Sequence, residues 1–223
     1  MMHARIARRS LLGGGVALAA SMTLPLGRVF AEASAELPAI PIPPPITSAE
    51  RLQRVARARE LMRKAGIGAV LVEAGPSLDY LTGVQWWRSE RLTAAVIPVE
   101  GDPIIVTPFF EKPSVAESLA IPAEIHTWNE DEEPLRLVAD FLRERNVAGA
   151  PIGFEETDRF FILDRLKQQL PGATIVSGNP VVRALRTIKT APELTLMQAA
   201  NDIMLASLRY AGERAREGMT PAD

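Results

Sequence analysis

Residues 92–107 read Leu-Thr-Ala-Ala-Val-Ile-Pro-Val-Glu-Gly-Asp-Pro-Ile-Ile-Val-Thr, and the fold turns on them. Leu92 to Val99 is a continuous apolar strand, Glu100-Gly101-Asp102 is a tight connection, and Pro103 to Thr107 returns as a second strand. Two such runs joined by a short polar link pair as an antiparallel hairpin.

Towards the N-terminus, Thr47-Ser48-Ala49-Glu50 is a capping box that satisfies free N–H groups at a helix start. The helix runs to about Ala65 with Leu52, Val55, Ala58, Leu61, Met62 and Ala65 near one face, and Gly66 ends it. Gly68 to Glu73 (GAVLVE) is a short buried strand, and Gly75-Pro76 turns the chain into a brief helix, Ser77 to Leu81, closed by Gly83. Towards the C-terminus the pattern predicts a helix over 109–119, a strand over 124–128, and a helix from Pro134 to about Arg145 behind the acidic run Glu130 to Glu133. A strand over 151–155, a helix over 157–170, a strand over 174–177 and a short helix over 179–185 follow. Six short strands interleaved with helices indicate an α/β layer fold.

The last segment differs. Thr190-Ala191-Pro192-Glu193 is a second capping box, followed by a long helix to about Arg216. Leu194, Met197, Ala200, Met204, Leu208 and Ala211 repeat along one face, and Leu196 and Ile203 widen it. A helix with so broad an apolar stripe needs something to pack on, and the expectation is a partner layer in sequence not present here.

Residues 1–33 read as a targeting segment. Arg5, Arg8 and Arg9 give a basic start, an apolar Gly/Ala-rich run extends from Leu11 to Leu26, and Ala31, Ala33 and Ala35 offer small residues for cleavage. The run is too short and interrupted for a stable membrane span. Arg8-Arg9 followed by Ser10-Leu11-Leu12 resembles a twin-arginine export signal, with an ordinary secretory signal as the alternative. Either predicts a periplasmic or secreted protein. Removal of this segment leaves 21 basic and 26 acidic side chains, a formal charge of −5, which gives no support to nucleic-acid binding. Residues 34–47 hold five prolines between Pro38 and Pro45 and read as an extended spacer. The chain has no cysteine, so its stability rests on a packed core and not on disulfides.

Catalytic groups are scarce. Of two histidines, His3 lies in the leader and His126 in a predicted strand, so a Cys-His nucleophile is excluded and a Ser-His-Asp arrangement would depend wholly on His126. No metal-binding spacing of His and acidic residues occurs. Glu155-Glu156 reads as a solvated strand terminus, with cation binding as the alternative. The cluster that stands out is Gln85-Trp86-Trp87-Arg88-Ser89-Glu90-Arg91, in a loop between a short helix and a strand. Two adjacent tryptophans in an extended segment cannot both enter one core, so at least one lies at a rim or interface. Trp86, Trp87, Arg88 and Arg91 are therefore the candidate substrate or interface residues. The plainer alternative is a Trp covering the sheet edge while Arg88 and Arg91 pair with Glu90 or nearby acids.

Several segments, taken in order, resemble one family. Ser77-Leu78-Asp79-Tyr80-Leu81-Thr82-Gly83, Ser89-Glu90-Arg91 and Val96-Ile97-Pro98-Val99-Glu100-Gly101-Asp102-Pro103 are similar to the N-terminal domain of creatinase/prolidase-type proteins. Leu185 to Leu194 resembles the junction at which those proteins enter their catalytic domain, and Glu217-Gly218-Met219-Thr220 the end of that domain's first helix. The match is closest in kind to exported Xaa-Pro dipeptidases and aminopeptidases. The resemblance implies a mixed, roughly six-stranded sheet flanked by helices, of ribonuclease-H-like shape, over residues 48–185. Residues 186–223 would then be the junction and first helix of a "pita-bread" domain. It implies, too, a pair of divalent metals (Mn, Co or Zn), held by two Asp, one His and two Glu that all follow the point matching Thr220. No catalytic or metal-binding residue is expected within this chain. The chain is expected to be inactive alone, and to meet a catalytic partner or a second copy through its C-terminal helix. Proline-containing peptides would be substrates of the whole protein. A stand-alone peptide-binding or assembly module, and the N-terminal part of another creatinase-fold hydrolase, are the alternatives.

Overall fold

The computed structural model describes residues 39–220; the leader expected over 1–33 lies outside them. The chain divides into a compact body, residues 44–196, and a second unit to which residues 39–43 and 197–220 belong.

In the body, helix α1 (Ser48–Ala65) leads into strand β1 (Ala69–Glu73), helix α2 (Pro76–Thr82), and strands β2 (Ala94–Pro98) and β3 (Ile104–Pro108). A short 3-10 turn (Phe109–Glu111) and helix α3 (Lys112–Ser118) reach β4 (Glu124–Trp128). Then come α4 (Pro134–Glu144), β5 (Ile152–Phe154), α5 (Phe160–Gln169), β6 (Ile175–Ser177), α6 (Val182–Thr187) and the start of α7 (Ala191–Arg214). The strands form one six-stranded sheet in the order β4-β3-β2-β1-β5-β6. β2 is antiparallel to both β1 and β3, pairing Val70 with Ile97 and Ala94 with Val106; β4, β5 and β6 join in parallel. The hairpin expected over 92–107 is the β2–β3 pair. The mixed six-stranded sheet flanked by helices is likewise the architecture expected.

All five residues of β1, β2 and β3 are buried because both sheet faces are covered. Ala69, Leu71, Ala94, Val96, Ile104 and Val106 face one core, closed by Leu135, Val138 and Leu142 of α4 and Ile162 and Leu166 of α5. Val70, Val72, Ala95, Ile97 and Ile105 face the other, closed by Val55, Ala58 and Met62 of α1, Leu78 and Leu81 of α2, and Val182 of α6. The period-2 direction of strand side chains splits one apolar run between two cores. The outer strand β4 is half-exposed, which suits an edge.

Helix boundaries follow local hydrogen bonding. The Thr47 capping box is present in both directions, and Gly66 closes α1 with φ 66°. Gly83 is constrained twice over: its φ is 88°, and a Cβ there would stand 2.6 Å from Ala120 Cβ. That turn fixes where the loop 84–93 begins. The helix expected over 109–119 opens instead as the 3-10 turn, where the Thr93 hydroxyl, 2.9 Å from that of Thr107, donates to Glu111 Oε2 at 3.0 Å. The helix expected from Thr157 starts at Phe160, because Asp158 accepts from the amide of Glu155 at 2.7 Å and holds 155–158 in a turn. The short helix expected over 179–185 is displaced to 182–187, since the Ser177 hydroxyl and the Gly178 carbonyl engage the preceding residues.

Helix α7 begins with the second capping box, Glu193 bonding the Thr190 amide at 2.7 Å. None of its residues is buried. In the second unit Met197, Ile203, Met204, Leu205 and Leu208 are exposed apolar side chains. Among the described residues no helix is long and apolar enough to cross a membrane.

Candidate functional site at the carboxyl end of the sheet

The chemistry of the body gathers where β1 and β5, parallel neighbours, both end. From there the chain leaves β1 towards β2 on one side and β5 towards β6 on the other. Clefts open at such points because the connections diverge.

Glu73 closes the apolar strand β1, and its side chain is fully buried. A buried carboxylate must be matched. Arg159, the residue before α5, donates from Nε to Glu73 Oε1 at 2.7 Å, and its Nη2 reaches the same oxygen. Arg88 Nε lies 3.3 Å from Glu73 Oε2. Both arginines are also tied to main chain: Arg88 Nε donates to the Ala74 carbonyl at 3.1 Å, and Arg159 Nη1 to the Ser89 carbonyl at 2.5 Å. One buried charge thus anchors both the side chain and the backbone of the loop 85–91.

Asp158 stands behind this pair and accepts from the amides of Glu73 at 3.4 Å and Glu155 at 2.7 Å. Burial pushes its carboxyl up to about 7, with the neighbouring charges of Glu155 and Glu73 adding to the rise and the two amide bonds opposing it. Beside it, Glu155 accepts from the Ser77 hydroxyl at 2.7 Å, and Arg186 Nη1 donates to Ser77 Oγ at 2.7 Å and lies 3.4 Å from Glu155.

The loop 85–91 carries the four residues expected to form a rim. Trp86 packs against the second core while Trp87 is 84 % exposed, so the pair splits as the extended backbone requires. Trp87 stands between two open cavities. One, of about 380 Å³, is bordered by Ser77, Arg88, Glu155, Thr157 and Arg186; the other, of about 330 Å³, by Asp79, Gln85 and Trp86. Arg91 pairs with Glu90 and with Glu130 at 2.5 Å, and lies over the Phe110 ring. Of the pairings expected for the loop, the one with Glu90 holds for Arg91, whereas Arg88 turns inward to Glu73. Glu155 is not the solvated strand end expected, since its side chain is only 10 % exposed and is held by Ser77 and Arg186. His126 lies on the edge strand β4, paired with Glu124 at 3.2 Å and outside this cluster.

Glu73, Asp158, Arg159 and Arg186 were not legible as a site in the sequence, because 86 residues separate Glu73 from Arg159 and 109 separate Ser77 from Arg186. The one available signal was a charged residue ending an otherwise apolar strand.

A family model described as the creatinase/prolidase N-terminal domain matches residues 54–188. The chain belongs to this family. Over 151 residues it is 30% identical to the protein named probable dipeptidase PepE of Mycobacterium tuberculosis, covering 66% of this chain and 39% of that one. The crystal structure of dipeptidase PepE from Mycobacterium ulcerans superposes with a TM-score of 0.61 at 26% identity, over 75% of this chain and 51% of that one. The N-terminal domain of Xaa-Pro dipeptidase from Lactobacillus brevis shares the fold with a TM-score of 0.55 at 17% identity, covering 60% of this chain and 99% of that domain. The chain spans at most about half the length of the curated relatives it matches. Its sheet and the cluster around Glu73 lie within the residues matched to the family.

The raised Asp158 carboxyl sets a pH dependence. In the unfolded chain this group ionises near 3.8, in the native state near 7, so between those values the native state binds more protons. The contribution of Asp158 is therefore fully favourable below about pH 4 and is lost as pH rises through about 7. Denaturant unfolding is expected to show wild-type stability falling over that window, relative to Asp158→Asn, by on the order of a few kcal/mol. A difference that is flat with pH contradicts the assignment.

Proposed function

We propose that this chain works as the N-terminal domain of a dipeptidase- or prolidase-like hydrolase, shaping substrate access with the rim formed by Trp86, Trp87, Arg88 and Arg91. The observation that carries this reading is the exposed Trp87 on a loop fixed from below by Glu73, Arg88 and Arg159, in a chain of this family. A rigid indole at the edge of a cleft offers a large contact area at small entropic cost. In this reading hydrolysis of bonds beside proline, with two divalent metals (Mn, Co or Zn), is done by residues outside the matched segment. The donor set present here does not fit a metal pair: among the described residues no three His, Asp or Glu side chains are placed to hold a metal ion, and Glu73 and Glu155 are already matched by arginines. The exposed apolar side chains of α7 suit association with a catalytic partner or a second copy.

The chain alone is expected to release no amino acid from Xaa-Pro dipeptides in Mn or Co. Exchanged for the corresponding segment of the Mycobacterium tuberculosis relative, it is expected to support turnover, and Trp87→Ala in that chimera to raise KM severalfold with kcat little changed. Turnover by the chain alone, or a chimera indifferent to Trp87→Ala, contradicts the reading.

Export is part of the same proposal, supported by Arg8-Arg9 ahead of the apolar run. Cell fractionation is expected to find the chain in the periplasm, and the Arg8→Lys, Arg9→Lys double variant retained inside. Retention of the unaltered chain in the cytoplasm contradicts it.

A further inference from the structure

Helix α2 carries two grips on one face. Ser77 and Tyr80, three residues apart, lie on the same side of the helix. They hold consecutive residues of α6. The Tyr80 hydroxyl donates to the Leu185 carbonyl at 3.2 Å, and Arg186 Nη1 donates to Ser77 Oγ at 2.7 Å. Arg186 is thereby kept at the border of the cleft, beside Glu155.

The Tyr80 grip is tied in turn to the start of α7. Arg54 of α1 is buried, and its guanidinium carbon lies 4.0 Å from the centre of the Tyr80 ring. Its Nη1 donates to the Tyr80 carbonyl at 2.9 Å, and its Nη2 stands 3.2 Å from Glu193 Oε1. The other oxygen of Glu193 accepts from the Thr190 amide at 2.7 Å, at the first turn of α7. Burial, with the charge of Glu193 adding to it, holds the Tyr80 phenol above its ordinary ionisation range, so the hydroxyl stays a donor.

The segment between these grips has little else to hold it. No residue from 183 to 196 is buried, and Ile188 is 80 % exposed. A cavity of about 500 Å³, bordered by Arg54, Leu61, Leu185 and Ile188, opens between α1 and the α6–α7 connection. A connection tied by polar bonds and not by packing is open to local rearrangement when one bond is lost. Loss of either partner of Arg54–Glu193 also leaves a largely desolvated charge unmatched.

We propose that Arg54, Tyr80 and Glu193 form a relay that sets the position of Arg186 in the cleft according to how the first turn of α7 is seated. All three are positioning residues, and none of them borders the cleft. Coupling of this kind is reciprocal, so loosening Ser77 in the cleft must also loosen the start of α7. The relay consists of bonds within the body and does not depend on the hydrolase reading, so either can fail alone.

The test is amide hydrogen exchange on the full chain. Glu193→Gln and Arg54→Met break the ion pair from either side, and Tyr80→Phe removes only the bond to Leu185. The first two are expected to speed exchange roughly tenfold at residues 185–194 and at residues 155–158 of the cleft wall, as loss of a charge-assisted bond should. Tyr80→Phe is expected to do so severalfold. Ser77→Ala is expected to speed exchange of the Leu194 amide, which bonds the Thr190 carbonyl; a merely structural role for Arg54 would not produce that reciprocal effect. Arg57→Met, on the same helix but paired with Glu60, is expected to leave the cleft unchanged. Exchange that rises only beside the substituted residue, or equally in β1, β2 and β3, overturns the proposal. So does an unaltered Leu194 amide in Ser77→Ala, or a response of the cleft to Arg57→Met.

Discussion

The arrangement at the carboxyl end of the sheet depends on one buried carboxylate. Glu73 ends the central strand with its side chain fully inside the protein, and Arg88 and Arg159 both turn inward to meet it. Such a pair is not a large source of stability, because removing the ions from water costs about as much as their attraction returns. Its consequence is geometric. Leaving the carboxylate unmatched would cost roughly 3–5 kcal/mol, so loop conformations that draw Arg88 or Arg159 away are disfavoured. Each arginine also bonds a carbonyl, of Ala74 or Ser89, so the constraint passes to the backbone. The loop then presents Trp87 to solvent while Trp86, half-buried, packs against the core.

The layers beneath were largely readable in the sequence. The runs 69–73, 94–98 and 104–108 are apolar and short, and the polar break at Glu100-Gly101-Asp102 joins the last two as a hairpin. Both helix-start capping boxes, at Thr47 and Thr190, appear in the structure with their reciprocal bonds. Boundaries shifted where a side chain competed with the helix for backbone groups. Asp158 delays α5 by about one turn by capping amides of two strand ends, and the bonds among Thr93, Thr107 and Glu111 accompany the tighter turn at 109–111.

The site was less legible, for a physical reason. Local patterns specify elements, whereas an ion cluster is assembled by topology. Arg159 and Arg186 reach the sheet end only because α5 and α6 return there after β5 and β6. The double tryptophan was visible as an anomaly because it defies the alternation of an extended chain, and its split between core and surface follows from that alternation. Which charge would hold Arg88 could not follow from the loop, since the nearer acid, Glu90, pairs with Arg91 instead.

Whether Glu73 holds the rim loop in place is decided by amide hydrogen exchange on Glu73→Gln. The substitution keeps the shape of the side chain and removes its charge. Faster exchange is expected at residues 85–91, with protection of β1, β2 and β3 retained. Unchanged exchange at 85–91 in a variant whose sheet remains protected would contradict it.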